Sequence, residues 1–85
     1  MVPENLKGGQ MVLVKIVWNK RPTNSLIFKI IGGLFESSPS PNIESVSIMP
    51  EYMKLKLTND HEIDFQEMSY GIAEALGGRY YLSRN

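Results

Sequence analysis

Apolar and polar residues alternate most regularly between Tyr52 and Phe65, Y-M-K-L-K-L-T-N-D-H-E-I-D-F, and this stretch predicts a β-hairpin. On its first arm Met53, Leu55 and Leu57 alternate with Lys54 and Lys56, the period-two signature of a strand with one dry and one wet side. The second arm sets Ile63 and Phe65 against Glu62 and Asp64. A two-residue loop at Asn59-Asp60 would pair inward with outward side chains. A three-residue loop, Asn59-Asp60-His61, instead places Leu57 opposite Ile63, Leu55 opposite Phe65 and Lys56 opposite Asp64. That register needs a left-handed residue near His61, at a cost on the order of 1 to 3 kcal/mol. Burying Ile63 and Phe65 returns roughly 1.5 to 3 kcal/mol each.

Upstream, Met11 to Trp18 reads M-V-L-V-K-I-V-W, β-branched and short, and predicts a first strand. Val12, Val14, Ile16 and Trp18 form a wholly apolar face. The opposite face carries Met11, Leu13 and Val17 beside Lys15, which is little charge for a solvated surface and marks a contact face. Pro22-Thr23-Asn24-Ser25 opens a first helix, S-L-I-F-K-I-I-G-G-L-F-E. Its arc of Leu26, Ile27, Phe28, Ile30, Ile31, Leu34 and Phe35 is too apolar to stand in water. Gly32 and Gly33 each cost about 1 kcal/mol in a helix, so it ends either at Ile31 or after Phe35.

The Ser/Pro-rich linker at 37–42 leads to a second strand in I-E-S-V-S-I-M, and Pro50-Glu51 turns it into the hairpin, giving a three-strand meander. After Phe65 the period becomes helical, with Met68, Ile72, Ala75 and Leu76 on one side. Asp64 is the expected cap, Glu67 stands in the capping-box position, and Gly77-Gly78 closes the helix. The tail from Arg79 to Asn85 either adds a short edge strand or folds Tyr80 and Leu82 onto the core. I-I-G-G-L-F and A-L-G-G-R-Y resemble each other, but the match does not extend into their flanks, which points to two similar helix ends and not to a duplication.

The expected fold is α+β: a two-layer sandwich with a mostly antiparallel sheet and two helices on one face. The element order reads β-α-β-β-β-α with a possible C-terminal strand. Residues 1–10 read as a flexible leader and 11–85 as a single domain.

Composition then narrows the chemistry. Nine basic residues balance nine acidic ones, which argues against nonspecific DNA binding through a large basic surface but leaves room for a local patch. The absence of cysteine removes disulfides and thiolate zinc sites, and together with the lack of a signal-peptide or membrane-span pattern fits a cytoplasmic protein. His61 is the sole histidine; without a second imidazole or a thiolate it reads as a solvated turn residue, not a metal ligand or base. Asp60, Glu62, Asp64 and Glu67 read as a cross-strand charge ladder rather than a catalytic carboxylate pair. The glycine pairs match no phosphate-binding fingerprint. No catalytic site, cofactor, metal or small-molecule substrate is therefore expected.

These exclusions leave binding. The expected function is a non-enzymatic binding or inhibitor module, of the antitoxin, immunity or phage-regulator kind, that occludes a macromolecular partner. Its contact or self-association face would be Met11, Leu13, Val17 and Tyr52, helped by an edge strand open to pairing. The alternative is a small RNA-binding domain using Lys15, Lys54 and Lys56 on the sheet, with Lys20, Arg21, Arg79 and Arg84 in more mobile segments. Against that alternative, Glu62 and Asp64 are expected on the same face as the lysines.

Overall fold

A computed structural model describes residues 11–60 and 62–84, so the expected leader and His61 lie outside the described residues. The elements are β1 (Met11–Trp18), α1 (Asn24–Glu36), β2 (Ile43–Ile48), β3 (Tyr52–Thr58), α2 (Phe65–Leu76) and β4 (Gly78–Arg84). The strands form one antiparallel sheet in the order β2-β3-β1-β4. Strands β1 and β2 both run opposite to β3, and β3 and β4 both run opposite to β1. Each β-α-β unit therefore inserts a strand between the two strands of the other, the split, ferredoxin-like arrangement. The expected two-layer α+β class holds, and the C-terminal strand forms.

The dry face of β1 dictates the pairing. Val12, Val14 and Ile16 stand opposite Leu57, Leu55 and Met53 of β3, and all six are fully buried. At roughly 1.5 to 3 kcal/mol per large apolar side chain, this is the strongest apolar match available to β3. On its other edge β3 receives Ile43, Val46 and Ile48 of β2, with an irregularity in register between Ile43 and Ser45. The helices close the layer from one side: Ile27 and Ile31 of α1 and Phe65, Ile72, Ala73 and Leu76 of α2 join the same buried cluster.

The expected hairpin does not extend past Thr58. Its second arm becomes the turn and cap that lead into α2 at Phe65, so Leu57 does not meet Ile63, Leu55 does not meet Phe65, and Lys56 does not meet Asp64. Four alternating residues cannot compete with the longer apolar strand β1, and the capping chemistry of the same segment favours a helix. The Asp64 carboxylate accepts from the backbone N–H of Glu67 at 3.1 Å. Asp60 Oδ1 accepts from the N–H of Glu62 at 2.9 Å, and its carbonyl accepts from the N–H of Ile63 at 3.1 Å, which turns the chain before the helix. Ile63 and Met68 stand at the two staple positions around this cap, both packed against the core. Phe65 is buried after all, from the helix side.

Helix α1 runs through Gly32 and Gly33 to Glu36, capped by Thr23 Oγ1 accepting from the N–H of Leu26 at 3.2 Å. Its apolar arc is wider than the strip of core it can reach. Phe28 and Phe35 each remain 59% exposed, against the expectation that the whole arc is covered. At the far end of the sheet the Trp18 indole N–H donates to the Pro50 carbonyl at 2.9 Å, which ties the β2–β3 turn to the end of β1.

The glycine pair after α2 has two separate reasons to exist. Gly77 sits at φ 70, the left-handed cap that releases the chain from the helix. Gly78 pairs with Trp18, and a Cβ there would collide with the Val17 carbonyl oxygen and crowd the Trp18 Cα. Because that obstacle is backbone, Gly78→Ala should destabilise the fold by about 2 kcal/mol or more in urea titration. Gly77→Ala should cost about 1 to 2 kcal/mol. Ser69 shows the opposite case: its hydroxyl is fully buried in α2 and has no hydrogen-bond partner among the described residues. Ser69→Ala should raise stability by about 1 kcal/mol in the same titration.

Candidate functional site

The helices cover one face of the sheet and leave the other open. Because side chains alternate along each strand, the register that buries the dry residues also fixes what stands together on the open face. The central row reads Ser47, Lys54, Lys15 and Tyr81 across all four strands. The row beside it reads Ser45, Lys56, Leu13 and Ser83. On the other side of the central row lie Tyr52, Val17 and Arg79, and at the opposite margin Thr58 pairs with Met11.

Four cations thus share one surface with two tyrosines. Lys54, Lys56 and Arg79 are exposed, Lys15 is half-buried, and Tyr81 is 52% exposed. Lys15 places its Nζ 4.6 Å from the centre of the Tyr52 ring on β3, a cation–π contact, while Lys54 stands directly opposite it in the register. Like charges facing each other across a strand pair are destabilising. Among the described residues none of these cations is held in an ion pair. A carboxylate does reach the rim: Glu44, at the irregularity in β2, accepts from the Thr58 hydroxyl at 3.1 Å.

The acidic residues lie mainly elsewhere. Asp64 caps α2, Glu67 and Glu74 lie on that helix, Glu36 ends α1, and Glu62 stands in the turn before α2. The expected ladder of Glu62 and Asp64 beside Lys54 and Lys56 does not form, because those carboxylates belong to a helix entrance. Charge that sums to zero along the chain is unevenly placed in space: four cations gather on the open sheet face, while Asp64, Glu67 and Glu74 lie on or at the entrance of α2.

Each candidate residue can now be placed. Met11, Leu13, Val17 and Tyr52 do share the open face, half-buried, together with Lys15, Lys54, Lys56 and Arg79. Lys20 and Arg21 are exposed in the loop between β1 and α1, where an Arg21 guanidinium N–H donates to the Pro22 carbonyl at 3.2 Å. Arg84 belongs to the helix side: it pairs with the buried Val12, lies 5.9 Å from the centre of the Phe65 ring and donates to Asn59 Oδ1 at 3.2 Å. Tyr81 and the serines at 45, 47 and 83 were not singled out from sequence. The alternation in R-Y-Y-L-S-R was the available signal, since Tyr80 and Leu82 inward forces Tyr81 outward.

Clefts of the described residues include one at the start of β4 that Arg79 borders and one away from this face. One of about 350 Å³ is lined by Leu34, Pro39, Pro41, Ile63 and Met68 among others, between the end of α1 and the start of α2. Among the described residues no three His, Cys, Asp or Glu side chains come together in a way that could hold a metal ion. No described helix is long and apolar enough to cross a membrane. No protein-family model matches the chain, and no curated protein is significantly similar to it in sequence.

The unrelieved lysine pair makes a prediction about the fold alone. Lys54→Glu replaces repulsion of Lys15 with attraction, and should stabilise the protein by about 0.2 to 1 kcal/mol at low salt, an effect that shrinks as salt is added. Urea titrations at two ionic strengths would measure it.

Proposed function

We propose that this protein is a non-enzymatic binding module whose working surface is the open face of the sheet, and that its ligand is single-stranded nucleic acid, RNA in the first instance. The supporting observation is the cluster of Lys15, Lys54, Lys56 and Arg79 with Tyr52 and Tyr81, without the carboxylates that the sequence placed among them. An unstacked base offers a flat π face to a tyrosine ring, and the phosphates that follow it along the strand are attracted by cations a few ångströms away. Serine hydroxyls at both margins, Ser45 and Ser47 on one side and Ser83 on the other, add donors and acceptors for sugar and base edges. The like-charge neighbours Lys15 and Lys54 fit this reading, because a phosphate between them turns a repulsion in the free protein into two attractions.

A second reading uses the same face differently. Leu13 and Val17, with Met11 at the margin, form an apolar strip along β1, and that strip favours a protein partner occluded by the sheet in the manner of a small inhibitor. Such a partner would need an acidic surface to meet the lysines.

Fluorescence anisotropy with a labelled oligouridine separates the two. With four cations engaged, the logarithm of affinity should fall with the logarithm of salt with a slope of about −3. Lys54→Ala and Lys56→Ala should each flatten that slope by about 0.7. Tyr81→Ala should instead weaken binding by about 1 to 3 kcal/mol with the slope unchanged. Absence of binding at low salt removes the nucleic-acid reading. Loss of a captured protein partner on Leu13→Lys, with native circular dichroism, would then support the second.

A further inference from the structure

The two edges of the sheet are not alike. Strand β2 is guarded: its register is broken at Glu44, Pro41 precedes it and Pro50 follows it. Such irregularities and prolines are the usual devices that stop an edge from pairing with another chain. Strand β4, Gly78–Arg84, has none of them: its pairing with β1 is continuous from Gly78 to Arg84, and it contains no proline or lysine.

We propose that β4 is the pairing edge for a second copy of this chain, which adds its own β4 antiparallel about a twofold axis at Tyr81 and makes one continuous sheet. This register is selected by self-complementarity. It sets Tyr81 opposite Tyr81 of the second copy on the open face, Arg79 opposite Ser83, Tyr80 opposite Leu82 on the helix side, and Gly78 opposite Arg84, so every residue of the strand is paired. Sliding by two residues in either direction loses pairs at the ends, and sliding by one would turn the second copy's helices to the wrong side of the sheet.

Charge complementarity supports the same occupant. Glu74 of α2 borders a shallow cleft with Tyr70, Gly78 and Arg79 at the start of β4. In the proposed register Arg84 of the second copy arrives beside Gly78 on the helix side, next to that carboxylate and to the C-terminal turn of α2, where a cation is favoured. The twofold axis makes the contact twice. Tyr70, 56% exposed on α2 beside this edge, lies between the two contacts and gains cover from the second copy. The dimer also joins the two open faces through the Tyr81 pair, but it does not rest on the nucleic-acid reading, because Glu74 and Arg84 are both off that face.

Sedimentation equilibrium of the full chain at micromolar concentration, without nucleic acid, should give twice the monomer mass. Glu74→Arg and Arg84→Glu should each raise the dimer dissociation constant at least about tenfold, since two attractions become repulsions. The double swap should restore it to within roughly threefold of the original. Glu74→Arg alters an exposed helix position with no contact to Arg84 in its own copy, so it remains informative even where Arg84→Glu weakens the fold through the lost Phe65 contact. A monomer at all concentrations, a dimer indifferent to Glu74→Arg, or a double swap that fails to restore association would each overturn the proposal.

Discussion

The antiparallel register between β1 and β3 is the constraint on which the rest of this structure hangs. It is set by burial: Val12, Val14 and Ile16 find Leu57, Leu55 and Met53, and nothing else in the chain offers β3 so long an apolar partner. Since side chains alternate, the same register brings Lys15 opposite Lys54 and Leu13 opposite Lys56 on the other face. The core and the open surface are therefore two consequences of one pairing. A slip by one residue would bury the lysines and expose the core, so the electrostatic cost on the wet side is held in place by the larger apolar gain on the dry side.

Central placement of β1 and β3 also explains why the connections are helices. Each strand has a neighbour on both edges, and their partners β2 and β4 are reached by crossing over the layer. Both crossings fall on the same side, where α1 and α2 cover the apolar face. No described helix covers the opposite face, whose residues divide between charge, aromatic rings, small hydroxyls and the apolar strip of β1. Glu36, Glu67 and Glu74 lie in the helices, and Asp64 and Glu67 stand at the entrance of α2, where capping uses negative charge. The cations of the open face are thus gathered by strand alternation, while helix capping draws Asp64 and Glu67 to the entrance of α2.

Overall neutrality carried little information about the surface for this reason. Composition counts charges without regard to side, and a two-layer protein can hide a basic face behind an acidic one. The two faces also differ in how completely they are finished. α1 leaves Phe28 and Phe35 in water because a single helix cannot turn an arc of seven apolar residues onto one sheet.

Local pattern alone determined much of the architecture: β1 with its dry and wet sides, the inward set of β3, the capped start of α2 at Asp64, the glycine exit at Gly77, and the α+β class. These were legible because each depends on neighbours within a turn of helix or a few residues of strand. The pairing of β3 with β2 across Pro50-Glu51 was legible, but its partner on the other edge was not, because Ile63 and Phe65 alternate as well as any strand over so short a span, and only the competition with distant β1 shows that they do not form one. From that single tertiary decision follow the departure of Glu62 and Asp64 from the sheet, the placing of Arg84 on the helix side, and the arrival of Tyr81 and Arg79 beside Lys15. The open face is assembled from strands far apart in sequence, and its chemistry exists only once burial has chosen their order.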